Sequence, residues 1–126
     1  MEKISSRRAG WGRRFVGAFV LAGALAAVPV ASQGATFTVR ATGDRTWKPA
    51  GLTVAAGSKV VWKNPSGDRH NVTAYKGAWS KNSTIEEGER TSFTFKKSGT
   101  YKYRCTLHSV VDNGVCSGMC GKVRVN

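Results

Sequence analysis

From residue 36 onward the chain is written as short apolar/polar alternations, broken by Gly, Pro or Asn roughly every eight to twelve residues. Residues 36–41, 51–54, 58–63, 71–75, 90–95, 100–105 and 121–125 read as seven strands. No helical period of useful length interrupts them. The pattern therefore predicts an all-β chain, a Greek-key β-sandwich or barrel of about seven to eight strands. Period two sets the inward rows. Phe93 with Phe95, Leu52 with Val54, Val60 with Trp62 and Val123 with Val125 should face the core, and Tyr101 should share a face with Tyr103. Residues 76–89 are polar and contain Gly, so they read as a long connection holding at most one short turn of helix.

The first 35 residues read differently. Lys3, Arg7, Arg8, Arg13 and Arg14 precede residues 15–30, which carry no charge, and small residues (Ala31, Ser32, Gly34, Ala35) follow. A basic head, an apolar middle and a small-residue end describe a secretory signal. A membrane anchor is the alternative, but a spanning helix needs about 20 apolar residues, and this run is shorter and meets Pro29. The expected division is an export signal, a signal-peptide helix, over 1–35 with cleavage within 31–35, and one domain over 36–126. Arg13-Arg14 leaves both the general and the twin-arginine export routes open. Either route implies a periplasmic, cell-envelope or extracellular location.

Charge narrows the partners. The chain carries a formal +13. Five of the 20 basic residues lie in the leader, leaving fifteen against six acids, or +9, on the domain. Such a field steers toward acidic partners or an anionic envelope surface. The basic residues are scattered singly along strands of an exported chain, so nucleic acid is not the expected partner.

Beyond the leader the chain has two histidines (His70, His108), one methionine (Met119) and three cysteines (Cys105, Cys116, Cys120). Each alone would be an ordinary side chain. Together they fall in the order His…Cys-x-x-His…Met, with Cys105 ending a predicted strand. Two imidazoles, one thiolate and one weak thioether are the donor set of a type 1 (blue) copper site. The thiolate favours the reduced ion, the imidazoles serve both oxidation states, and the thioether tunes the potential. Two histidines are too few for a multicopper oxidase or a copper nitrite reductase, so no enzyme is expected.

Further motifs surround these residues. Trp47-Lys48-Pro49 precedes Leu52-Thr53-Val54; Val60-Val61-Trp62-Lys63-Asn64 precedes His70-Asn71-Val72; Gly99-Thr100-Tyr101 leads to Cys105; Gly118-Met119 leads to Gly121-Lys122-Val123. In these the chain resembles the cupredoxins, in particular the plastocyanin/pseudoazurin-like group, over nearly all of 36–126. The resemblance implies one copper held by His70, Cys105, His108 and Met119. It implies that Asn71 ties the two ligand loops together and that His108 lies nearest solvent. It also implies a monomeric one-electron carrier, cycling Cu(II)/Cu(I) between a protein donor and acceptor. An extracytoplasmic copper-handling protein is the alternative, although the methionine-rich tracts expected of one are absent; a purely structural sandwich is a third reading.

One departure is Ser109–Gly118, ten residues between His108 and Met119, longer than the group usually has. It reads as an enlarged loop. If Cys105 is a ligand, Cys116 and Cys120 remain to form a disulfide pinning the methionine loop. The competing reading makes one of them a further ligand of a thiolate-rich Cu(I) or zinc site.

Overall fold

The computed structural model describes residues 34–126, and Gly23 alone before them. The expected export signal and its cleavage point lie outside the described residues. Among the described residues no helix is long and apolar enough to cross a membrane.

Nine strands form the domain: β1 (Thr36–Ala41), β2 (Trp47–Lys48), β3 (Gly51–Val54), β4 (Ser58–Lys63), β5 (His70–Lys76), β6 (Asn82–Ile85), β7 (Arg90–Phe95), β8 (Gly99–Asp112) and β9 (Val115–Val125). They make a four-stranded sheet, β2-β1-β4-β7, and a five-stranded sheet, β3-β9-β8-β5-β6. β1 runs parallel to β4 and β3 parallel to β9; the other pairs are antiparallel. The result is an all-β sandwich.

Three elements differ from the sequence-based expectation. β2 is a two-residue edge strand, too short to alternate visibly, brought onto β1 by a turn in which Thr42 N–H donates to Thr46 O (3.0 Å). β6 lies inside the stretch read as a connection, and no helical turn is present there. Its residues Asn82, Ser83 and Thr84 are polar and only Ile85 is buried, so pairing with β5 rather than its own pattern makes it a strand. The third difference is the enlarged loop, which is a β-hairpin. Ser109, Val110, Val111 and Asp112 pair with Gly118, Ser117, Cys116 and Val115. Asn113 (φ 48°) and Gly114 (φ 77°) make the two-residue turn, and Asn-Gly suits a turn that needs positive φ at both positions.

The inner faces follow the alternation. Val54, Val60, Trp62, Phe95, Tyr101, Tyr103, Val123 and Val125 are buried, with Leu52 and Phe93 half-buried at the margin. Tyr103 stands edge-on to Trp62 (5.2 Å between centroids) and to Trp47 (5.7 Å). Burying side chains of this size stabilises the sandwich by about 1.5–3 kcal/mol each. Gly121 sits in the inward row of β9, and a Cβ there would lie 2.3 Å from Tyr103 Cζ. Tyr103 is itself held between two tryptophans, so it has no room to retreat. Gly121→Ala is therefore expected to destabilise by about 1–3 kcal/mol. In a domain of this size that lowers Tm by several degrees; an unchanged melting curve would show that Tyr103 has slack.

Candidate metal centre

The site grows from one irregularity in the β8–β9 ladder. Arg104 pairs with Cys120, and the next pair is Ser109 with Gly118. Four residues of β8, Cys105 to His108, thus oppose Met119 alone on β9. Below the break Tyr101, Tyr103 and Cys105 form one inward row. Thr106 and Leu107 then turn outward, and His108 returns half-exposed. Met119 is fully buried, in the same inward row as Gly121, Val123 and Val125. Gly118 (φ 93°) closes the break, because a Cβ there would lie 2.3 Å from the carbonyl oxygen of His108.

His70, the first residue of β5, is fully buried beside this excursion. Its Nδ1 lies 3.2 Å from Nδ1 of His108 and 3.9 Å from Sγ of Cys105, and that sulfur lies 3.5 Å from His108 Nδ1. Donors about 2.0–2.3 Å from one ion stand roughly 3–4 Å apart, so these three fit around a single metal. The far side of His70 sets its tautomer. Ser66 Oγ donates to Asn64 Oδ1 (2.7 Å), so at 2.8 Å from His70 Nε2 it accepts that N–H. The lone pair is thereby left on Nδ1, facing Cys105 and His108. Asn64 is anchored in turn, donating to the carbonyls of Asp68 (2.7 Å) and Ile85 (3.0 Å).

Asn71 joins the two halves of the site. Its backbone N–H points at Cys105 Sγ (3.4 Å) and helps fix the position of the sulfur. Its side chain donates to Thr106 Oγ1 (2.8 Å) and accepts from Thr106 N–H (3.0 Å). Burial first, and the neighbouring His108 second, hold His70 below the ordinary imidazole range, with Asp68 opposing weakly. His70 is thus kept neutral, the form that can ligate a metal.

Cys116 and Cys120 are joined by a disulfide, with their Cα atoms 6.1 Å apart. With both sulfurs bonded to each other, neither is a thiolate donor here, and Cys105 is the free thiol among the described residues. Sequence reasoning gave no role to Ser66 or Thr106, and it met Asn64 and Gly118 only as members of motifs. The Asn64-Pro65-Ser66-Gly67 turn was visible, but not its contact with His70.

A two-sheet β-sandwich with imidazole, thiolate and imidazole converging at one end defines a cupredoxin. The family model for copper-binding proteins of the plastocyanin/azurin family matches residues 35–126, and the chain belongs to that family. It is 33% identical over 96 residues to plastocyanin of Sambucus nigra, covering 67% of this chain and 91% of that one. It is 34% identical to chloroplastic plastocyanin of Silene latifolia subsp. alba, spanning about half (54%) of that protein's length. Among solved structures, a reduced amicyanin variant matches 72% of this chain and 82% of its own at 28% identity and TM-score 0.59. The purple cupredoxin of Nitrosopumilus maritimus, at 22% identity, matches in fold with TM-score 0.57, over 71% of this chain and 99% of its own. The donor set described above fits the family's copper.

The neutral buried imidazole has a pH consequence. An unfolded His70 takes up a proton near its ordinary value of about 6.5, whereas the folded one resists it. Its contribution is therefore present above about pH 6.5 and is lost as pH falls. The urea midpoint of the metal-free protein is expected to drop between about pH 7 and pH 5; a flat midpoint would contradict a neutral buried imidazole.

Proposed function

We propose that this chain is an exported one-electron carrier, with an export signal over 1–35 and a domain over 36–126. His70, Cys105, His108 and Met119 hold a single type 1 copper. The observation that carries this reading is the convergence of His70 Nδ1, His108 Nδ1 and Cys105 Sγ within 4.8 Å of one another. Bound copper supplies a Cu(II)/Cu(I) couple. The protein's part is to keep the donors still. His70 starts one strand, Cys105 and His108 interrupt another, and Asn71 bonds across to Thr106. A donor set held this way changes little between oxidation states, as rapid electron exchange requires. The likeness to plastocyanin and amicyanin supports the same role.

His108 is the half-exposed member, and exposed apolar side chains lie on the same stretch: Leu107, Val110 and Val115. An exposed apolar patch suits transient contact with a protein partner. In this reading electrons enter or leave through His108, with Leu107 packed against the donor or acceptor. The positive charge of the domain favours acidic partners.

Two substitutions test the ligand assignment. Cys105→Ser should abolish the intense visible absorption expected of the Cu(II) protein while leaving its β circular dichroism. A surviving band would place the thiolate elsewhere. Met119→Leu should keep the colour and raise the midpoint potential, because loss of a weak thioether donor would disfavour Cu(II). An unchanged potential would mean that Met119 is not a ligand.

A further inference from the structure

A straight row of cations crosses the outer face of the four-stranded sheet. Lys48 of β2 pairs with Arg40 of β1, Arg40 with Lys63 of β4, and Lys63 with Arg90 of β7. Directly paired residues share a face, and their neighbours Trp47, Val39 and Trp62 point into the core, so the four basic side chains point outward together. Like charges directly opposite one another across a sheet are destabilising. Two other cations are neutralised: Arg45 bonds Asp68 (3.0 Å) and Arg69 bonds Glu86 (2.6 Å). Among the described residues, Lys48, Arg40, Lys63 and Arg90 are in no such ion pair.

Three of the four line a concavity of about 250 Å³, rimmed by Pro65, Gly88 and Glu89. A water occupies about 30 Å³ of liquid, so a tetrahedral oxyanion fits with room for part of its solvent shell. The rim's amides are spent: Asn64 N–H donates to Glu89 O (3.0 Å) and Gly88 N–H to Asn64 O (2.7 Å). Glu89 is the one acid on the rim, and its Oε2 accepts from the N–H of Glu86 (2.8 Å), which holds it in the turn. Recognition therefore falls to two guanidiniums flanking one ammonium. Guanidinium forks bind oxyanions through paired charge-assisted hydrogen bonds.

We propose that Arg40, Lys63 and Arg90 form a binding site for a phosphate-type oxyanion, either free phosphate or the headgroup of an anionic phospholipid. The inference does not depend on electron transfer. His70, Cys105 and His108 stand on the five-stranded sheet, and the cation row stands on the other.

Calorimetric titration of the copper-loaded protein with inorganic phosphate tests this, at ionic strength held constant with chloride. Saturable one-to-one binding is expected, together with a rise in Tm. Lys63→Thr and Arg90→Ser should each weaken it about tenfold or more, as loss of a charge-assisted bond implies. Both side chains lie on the outer face, so the variants should fold, and relief of repulsion should keep their Tm in phosphate-free buffer at or above that of the parent. Undiminished binding by the variants, or an equal Tm rise with chloride alone, would overturn the site. Sedimentation with phosphatidylglycerol vesicles but not phosphatidylcholine vesicles, lost in Lys63→Thr, would assign the lipid source. Phosphate binding without vesicle binding would assign free phosphate. Binding of polyglutamate alone would overturn the proposal in favour of an acidic protein surface.

Discussion

The structure turns on three extra residues in one strand. Were the β8–β9 ladder regular, the pair after Arg104–Cys120 would be Cys105–Met119, and Thr106 would meet Gly118. Instead Ser109 meets Gly118, and the surplus is held as the Cys105–His108 excursion. Pairing is restored on both sides, so the excursion has fixed ends. Below it, Tyr103 packs over Gly121 and between Trp47 and Trp62. Above it, four further pairs run to the Asn113-Gly114 turn. A segment that would be mobile as a free loop is thereby held by strand pairing at either end, and Asn71 fastens its middle to β5. The hairpin beyond His108 serves as the upper clamp.

Electrostatics at the site work by exclusion. His70 is buried, and desolvation, helped by the neighbouring His108, outweighs the opposing pull of Asp68 and disfavours a proton there. Nearby Tyr103 follows the same rule: burial pushes its phenol up to about 12, so it adds no charge behind the ligands. What remains is one thiol receiving a backbone N–H, and two imidazoles. A carboxylate hydrogen-bonded to the ring would have favoured imidazolium, which cannot ligate. The Asn64–Ser66 relay uses neutral groups to do the same orienting work without raising the basicity of His70 through a charge.

Legibility in the sequence divided along physical lines. Strands with one buried face announced themselves, which is why 36–41, 51–54, 58–63 and 90–95 match the structure residue for residue. β6 did not, because an edge strand of Asn, Ser and Thr owes its conformation to β5 and buries only Ile85. Asn113-Gly114, flanked by Val110-Val111 and Val115, is a hairpin signal inside the ten-residue insertion. His70, Cys105 and His108 were legible because so few donors exist on the chain. Ser66 and Thr106 were not, since serine and threonine are common and only the fold shows which of them touches His70 or Asn71. Gly118 was legible only as the glycine before Met119; its need becomes visible where β9 passes the His108 carbonyl.

The disulfide is best understood from a length. Four residues of extended strand span about 13 Å at roughly 3.3 Å each. Between Cys116 and Cys120 the Cα atoms are 6.1 Å apart, so β9 bends sharply there, and Gly118 with its positive φ lies at the bend. The bend is the counterpart of the excursion on β8, because one strand must fold back where its partner carries three more residues. A cross-link over so short a loop removes little entropy from the unfolded chain. Its action is therefore local. It ties the residue paired with Val111, above the break, to the residue paired with Arg104, below it. The two intact parts of the ladder are thus joined on the strand that carries Met119. Met119, which faces the Cys105–His108 excursion across the ladder, lies within that bend, and the disulfide holds the bend.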